Sequence, residues 1–201
     1  MEKLLIIVAL IIFQISLSDE NQEKIIRTDK VYITTSLNKN KNEENYQIKK
    51  YKVYALGIGI GEVYFKISDK KIEAEGKTYD RFSWLYNYDF KFYSDDNYMA
   101  LYEKEGKKER IYENEAIYEK KPWLPIIAMF FKKDKSLSDI LNSNILINGK
   151  PVIIRKEGRR IIFEPQESKT KRITIFLEDG KNFPTQIYIE SKVNINLELE
   201  E

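Results

Sequence analysis

The residues that could do acid–base chemistry in this chain are carboxylates, because its 201 residues include no histidine and no cysteine. Their absence excludes a Ser-His-Asp triad, a Cys-His pair and the usual nitrogen and sulfur ligands of zinc, copper or haem. Glu73/Glu75 and Glu113/Glu115 are each two residues apart, which on a strand places both carboxyl groups on one face. Such a pair could flank a glycosidic bond. Among 32 acidic residues, pairs with this spacing arise by chance. We therefore expect that the protein is not an enzyme and, because histidine and cysteine are missing, that it holds neither a metal nor a cofactor.

Two further motifs resemble ligand-binding loops but are better explained by local structure. In Gly57-Ile58-Gly59-Ile60-Gly61 the glycines alternate, whereas a dinucleotide fingerprint needs its third glycine where Glu62 stands and a helix after it. We interpret these glycines as a bare strip that permits a bend, a bulge or the close approach of another segment. Asp95-Asp96-Asn97 lacks the spacing of a calcium loop, and we interpret it as a hairpin turn.

Aromatic residues are the remaining candidates for a binding function. The chain has 14 Tyr, 10 Phe and two Trp, and a concave sheet lined with such side chains could hold an acyl chain. The candidate ligand-binding residues are Trp84, Trp123, Met129, Phe130 and Phe131, which would form the mouth or lid of a pocket. The alternative is that they plug one end of the sheet.

The sequence predicts a series of strands that would position these residues. Apolar side chains alternate with polar ones in Gly61–Ile67, Tyr86–Tyr93 and Val193–Leu199, as expected for half-buried antiparallel strands. Further strands, among them Lys71–Tyr79, Tyr98–Lys104 and Arg110–Glu119, are separated by turn residues such as Gly and Asp. About a dozen strands in sequence predict a mainly β fold, an antiparallel meander that curls into a barrel or half-barrel.

One segment breaks this pattern. Pro122-Trp123-Leu124-Pro125 precedes the apolar run Ile126–Phe131, and proline suits the first turn of a helix. We predict one short helical insert here, covering an open end or face of the sheet.

The N-terminus predicts export. Lys3 precedes an apolar run of about 14 residues that is too short for a comfortable membrane span. The small residues Ser16 and Ser18 then precede Asp19, which suits cleavage between Ser18 and Asp19. Residues 1–18 are therefore expected to be a signal peptide, with an uncleaved anchor as the alternative. Residues 19–45 form a polar arm or linker, and 46–201 form the antiparallel β domain. The expected location is the periplasm or the exterior of a bacterial cell.

Several segments, taken in order, resemble the exported bacterial family called domain of unknown function 3108. They are Tyr51–Glu62, Thr78, Leu85-Tyr86, Gly106-Lys107, the Trp123–Phe131 insert and Phe183–Lys192. The resemblance implies an exported, sheet-rich domain with no catalytic residues to carry over. Such domains look similar in architecture to the half-barrel carriers that shuttle lipoproteins between bacterial membranes. The final strand reads Lys192-Val193-Asn194-Ile195, where that family often has a glycine.

These observations predict a non-catalytic binding protein of the cell envelope. Its ligand would be a lipid or another apolar small molecule on the concave sheet, beneath the Trp123–Phe131 lid. The alternative is a structural or adaptor protein that docks an envelope protein through its sheet, with Asp19–Asn45 as a tether. Interspersed charges and a net charge of +2 imply no large field that would attract nucleic acid or an anionic membrane. We expect no nucleic-acid partner and only transient membrane contact.

Overall fold

Alternating strands build one large antiparallel sheet in the computed structural model, which describes residues 46–84, 87–181 and 183–200. Eleven strands take part, in the order β6-β5-β4-β3-β2-β1-β13-β12-β11-β10-β9. Their bounds are β1 Gln47–Ala55, β2 Ile58–Ile67, β3 Ile72–Thr78, β4 Tyr88–Ser94, β5 Met99–Glu105, β6 Lys108–Glu113, β9 Ile153–Glu157, β10 Arg160–Glu164, β11 Arg172–Leu177, β12 Pro184–Glu190 and β13 Ile195–Leu199. A separate two-stranded sheet joins β7 (Leu146–Ile147) to β8 (Lys150–Pro151).

These strands belong to the unit Tyr46–Glu201. The predicted signal peptide, its Ser18-Asp19 cleavage site and the polar arm 19–45 lie outside the described residues. Leu85 and Tyr86, from the family resemblance, also lie outside them.

The sheet curls but does not close. Its inner face contacts Trp123 through Phe90 of β4 and contacts Phe130 through Phe163 of β10. In a flat sheet β4 and β10 would lie about 34 Å apart, at roughly 4.8 Å per strand. Seven residues of helix span only about 10 Å, so the strands must bend around the segment that touches both. Within the described residues β6 does not pair with β9, and the mainly β half-barrel is confirmed.

The alternation also gives the two faces of the sheet their different character. In β2 the odd residues Val63, Phe65 and Ile67 are buried, while Glu62 and Lys66 remain partly exposed. Polar outer-face residues pair between neighbouring strands, and Lys66, for example, lies 3.6 Å from Glu75. One face therefore supplies the core and the other faces solvent, as the period of two predicts.

The insert joins the two edge strands and is more helical than predicted. It contains α1 (Glu115–Lys120), α2 (Trp123–Met129) and α3 (Leu137–Leu141) instead of one short helix. The predicted strand Arg110–Glu119 is wrong beyond Glu113. There Asn114 adopts a positive φ of 46°, which Asn tolerates better than most residues, and this turns the chain out of β6 and into α1.

The alternate glycines serve the close approach that the sequence indicated. Gly57 has a φ of 77° in the β1–β2 turn, and the pairing register shifts between Val53 and Tyr54 opposite Gly59 and Gly61. A Cβ on Gly61 would collide with the backbone carbonyl oxygen of Lys77 in β3. The structural interpretation of this motif is confirmed.

We expect Gly61→Ala to lower the free energy of unfolding by about 2 kcal/mol, because the new methyl group meets backbone that cannot rotate away. Gly59→Ala is the matched control. Its Cβ would lie 3.4 Å from the flexible Cε of Lys52, and we expect a change of less than about 0.5 kcal/mol. Urea unfolding of both variants tests this, and equal effects would contradict the close packing of β2 on β3 at Gly61.

Candidate ligand-binding site

The inner face of the half-barrel is covered by a wholly apolar stretch, Trp123–Phe131. Pro122 precedes α2, and neither a side-chain cap nor a charged residue in its first or last turn stabilises this helix. All residues from Leu124 to Met129 are buried. A seven-residue helix without caps is marginal by itself, so packing on the sheet must hold it in place.

Aromatic rings make the contacts between this stretch and the sheet. Trp123 lies edge-to-face on Phe90, with ring centroids 5.5 Å apart. Phe131 lies 4.9 Å from Phe65 of β2. Such pairs contribute about 0.5–1.5 kcal/mol each beyond their burial. The predicted residues Met129, Phe130 and Phe131 thus meet in the core on the concave face, and the partly buried Trp123 packs against it.

Trp84 is not brought to this site. It follows a 3₁₀ turn (Asp80–Phe82) in the connection between β3 and β4, and 70% of its surface is exposed. The two tryptophans that the sequence grouped as one ligand mouth therefore occupy different surroundings, because Trp123 packs against the core and Trp84 faces solvent.

Two lysines make polar contacts at the C-terminal end of the apolar stretch, and Lys132, with 20% of its side chain exposed, is the better buried of the two. The Lys132 ammonium donates to the carbonyl oxygen of Asp95 at 3.1 Å, and its Nζ lies 3.4 Å from an Asp96 carboxylate oxygen. Lys133 Nζ lies 2.5 Å from Asp69 Oδ1, and this hydrogen bond lowers the pKa of Asp69. The acceptors lie in the β2–β3 and β4–β5 turns, so the charges are at the rim of the sheet.

Asp95 also forms the turn that the sequence predicted. Its Oδ1 accepts hydrogen bonds from the backbone N–H groups of Asn97 and Tyr98, both at 2.8 Å. The bond from Asn97, together with hydrogen bonds from Tyr93 and Tyr98, lowers the pKa of Asp95 despite partial desolvation. The hairpin interpretation of Asp95-Asp96-Asn97 is confirmed.

A buried carboxylate fixes the other end. Glu103 of β5 points to the inner face, and only 4% of its side chain is exposed. Its oxygens lie 3.2 Å from Arg110 Nη1 and 3.3 Å from Lys121 Nζ, and they accept hydrogen bonds from the hydroxyls of Tyr88 and Tyr112 at 3.1 and 3.3 Å. Lys121 lies two residues before the start of α2, so this cluster ties the insert to the sheet.

The sequence contained part of the signal for this cluster. Met99, Leu101 and Glu103 alternate along β5, which places the carboxylate on the same face as two core residues. Register also pairs Glu103 with Arg110. Nothing in the alternation predicts Lys121, because the lysine belongs to the insert and reaches Glu103 only through the tertiary fold.

The carboxylate pairs considered for catalysis do not form a cleft. Glu73 and Glu75 lie on the outer face of β3, 3.8 Å from Lys71 Nζ and 3.6 Å from Lys66 Nζ respectively. Glu113 and Glu115 were expected on one strand face, but β6 ends at Glu113 and Glu115 begins α1. That expectation is wrong.

We expect Glu103→Gln to lower the free energy of unfolding by about 2–3 kcal/mol, because it leaves two cations at the inner face without their shared carboxylate. We expect a smaller loss than for a fully buried ion pair, because the side chains of Arg110 and Lys121 are 21% and 31% exposed. Trypsin should also cleave faster after Lys120. Chemical unfolding and limited digestion measure the two effects.

The matched control is Glu109→Gln, which removes an exposed partner of Lys104 on the outer face. Exposed ion pairs contribute little, so we expect less than about 0.5 kcal/mol and no change in digestion. Indistinguishable results for the two variants would show that Glu103 does not anchor the insert.

Comparison with known proteins gives one relative that spans most of the chain. It is a protein of Aquifex aeolicus (strain VF5) described as "Uncharacterized protein", 40% identical over 149 residues, which are 74% of this chain and 82% of the relative. No protein-family model matches the chain, so its kinship with domain of unknown function 3108 stays a prediction. Identity of this extent over most of both proteins shows common descent, and the chain belongs to the same family as the Aquifex aeolicus protein.

Proposed function

We propose that this protein binds a lipid or another apolar ligand on the concave face of its half-barrel, without catalysis. One observation carries the proposal. A stretch of nine residues without a polar side chain, Trp123–Phe131, fills the concave face, and the ion pairs of this region lie at its two ends, at Lys121 and at Lys132-Lys133. The stretch occupies the place an acyl chain would take.

Ligand entry requires α2 to move away from the sheet. Six consecutive residues, Leu124–Met129, would lose their burial, and full burial of a large aliphatic side chain is worth about 1.5–3 kcal/mol. An acyl chain of about 15 methylenes returns roughly 12 kcal/mol at about 0.8 kcal/mol each. The two quantities are of the same order, so an acyl chain could compete with the protein's own side chains.

The fixed ends make this movement a lid motion. Lys121 is held at Glu103, and Lys132 is held by its hydrogen bond to the carbonyl oxygen of Asp95. Between them no side-chain cap orders α2, whereas α3 begins with a complete capping box at Ser136 and Asp139. The folding of α2 therefore depends on its contact with the concave face more than the folding of α3 does.

The proposed setting is the bacterial envelope. Residues 1–18 carry the pattern of a signal peptide, and a periplasmic or secreted protein would meet lipids at both membranes. Among the described residues no helix is long and apolar enough to cross a bilayer.

A second candidate is the structural or adaptor role, in which an envelope protein docks on the sheet. The filled concave face favours it, because residues Met129, Phe130 and Phe131 are only 5–7% exposed and leave the inner face as an ordinary core. The edge strands β6 and β9, each of which pairs with one neighbour in the described part of the chain, would then be the docking elements, and α2 would not move.

We expect a brominated long-chain fatty acid to quench Trp123 in a Trp84→Phe variant, because the bromine would reach the concave face beside Phe90. Quenching should saturate with concentration, and a short-chain brominated acid should have little effect. Glu103→Gln should speed the quenching by loosening the lid, and Glu109→Gln should leave its rate unchanged. Fluorescence titration and stopped-flow mixing measure these effects.

Unquenched Trp123 at saturating fatty acid would contradict the proposal and favour the adaptor. Native mass spectrometry of the protein from its own envelope fraction provides an independent measurement. A bound species that extracts as lipid supports binding, and a clean ligand-free mass from the same gentle preparation counts against it.

A further inference from the structure

Two connections at one end of the sheet bring exposed apolar and basic residues together. The β1–β2 turn and the loop after β3 are neighbours, because the N–H of Tyr79 donates to the carbonyl oxygen of Ile60 at 2.9 Å. The Arg81 guanidinium donates to the carbonyl oxygen of Gly59 at 3.3 Å. We call Lys52, Leu56, Tyr79, Arg81 and Trp84 the basic–aromatic surface.

Leu56 is an unexpected residue for its position. It has a φ of 51°, followed by Gly57 at 77°, and 51% of its surface is exposed. Two successive residues with positive φ make a hairpin turn that favours Asn-Gly or Asp-Gly. A branched aliphatic residue at this position strains the turn and exposes apolar surface to water. Neither the backbone conformation nor packing in the core explains why leucine stands here.

Trp84 likewise exposes apolar surface to solvent. Its indole N–H donates to the carbonyl oxygen of Arg81 at 2.9 Å, so the polar atom of the side chain is satisfied inside the loop. The exposed 70% of the residue is therefore mainly the apolar ring. Indole rings with this amphipathic arrangement are enriched where proteins meet the membrane–water interface.

The cations of this surface are available to a partner. Among the described residues neither Lys52 nor Arg81 is within ion-pair distance of a carboxylate. Arg81 lies 5.3 Å from the ring of Tyr79 and 5.0 Å from that of Phe82. Lys52, Tyr79 and Arg81 line an open cleft of about 380 Å³. Asp80 is the acidic residue in this loop, and Glu62 and Glu198 lie opposite Lys52 on the neighbouring strands.

We infer that the basic–aromatic surface docks on an anionic lipid bilayer. Leu56 and Trp84 enter the interfacial region, while Lys52 and Arg81 lie at the depth of the lipid phosphates. Exposed aliphatic and indole groups flanked by unpaired cations match both the apolar and the anionic component of such a surface. The contact is peripheral and reversible, because only two apolar side chains enter the membrane.

The inference goes beyond the proposed ligand site, and a separate reporter tests it. In a Trp123→Phe variant of the full chain, Trp84 is the only tryptophan. Its emission should shift to shorter wavelength, with reduced acrylamide quenching, on vesicles of phosphatidylcholine mixed with phosphatidylglycerol. Pure phosphatidylcholine vesicles should produce a much smaller shift. Because the signal comes from Trp84 itself, it reports this surface whichever other segment touches the membrane.

Variants separate the two components of the contact. Arg81→Glu should weaken the Trp84 response by about fivefold or more, from the lost charge near the anionic surface. Leu56→Asn should weaken it by about fivefold from the lost apolar contact, while the turn folds at least as well, because Asn suits positive φ. Ile48→Asn is the control, since Ile48 is 59% exposed at the far end of the same hairpin.

Unchanged Trp84 emission on anionic vesicles would overturn the inference, as would equal responses to anionic and neutral vesicles. A Leu56→Asn variant that binds like the parent would do the same. Failure here leaves the Trp123 quenching experiment unaffected, and failure of that experiment leaves this one unaffected.

Discussion

The structure depends on one constraint, which is that a curled sheet open along one side has an inner face too large to leave in water. The eleven strands present rings and aliphatic chains there, from Phe65 in β2 to Phe163 in β10. The insert between β6 and β9 covers this face, and it starts and ends at the two open edges. The same segment thus connects the sheet's edges and completes its core.

The division of polar and apolar contacts within the insert follows from that placement. Its middle must match an apolar surface, so it has no polar side chain, and its register must be fixed from the ends. Glu103 does this at a cost in desolvation, which two cations and two hydroxyl groups offset. Buried ion pairs are weak contributors to net stability. Their value here is positional, because the cluster places Lys121, and hence the start of α2, at one point on β5.

Much of this architecture could be predicted from the sequence, because alternation in a segment such as Gly61–Ile67 reports burial directly. The β5–β6 register follows from a tight turn at Gly106, and the half-barrel follows from the number of strands. What could not be predicted depends on contacts distant in the chain. Glu115–Lys120 follows β6 with no glycine or proline between them, so the sequence does not mark where the strand ends, although Glu, Ala and Lys favour a helix. The start of this helix is defined by the turn at Asn114 and by packing of Ile117. Trp84 and Trp123 looked alike in the sequence, and only the fold assigns one to solvent and packs the other against the core.

The filled inner face sets a condition on any ligand. The affinity for an apolar ligand depends on the difference between the apolar surface that the ligand would bury and the surface that Trp123–Phe131 already buries. A helix with strong caps and additional ion pairs along its length would exclude every guest. A helix without caps, fixed only at its ends, keeps this difference in free energy small. An acyl chain of sufficient length can then displace the helix, and a short one cannot. Selection by length would then follow from competition between ligand and lid, without a polar group in the site that recognises a headgroup.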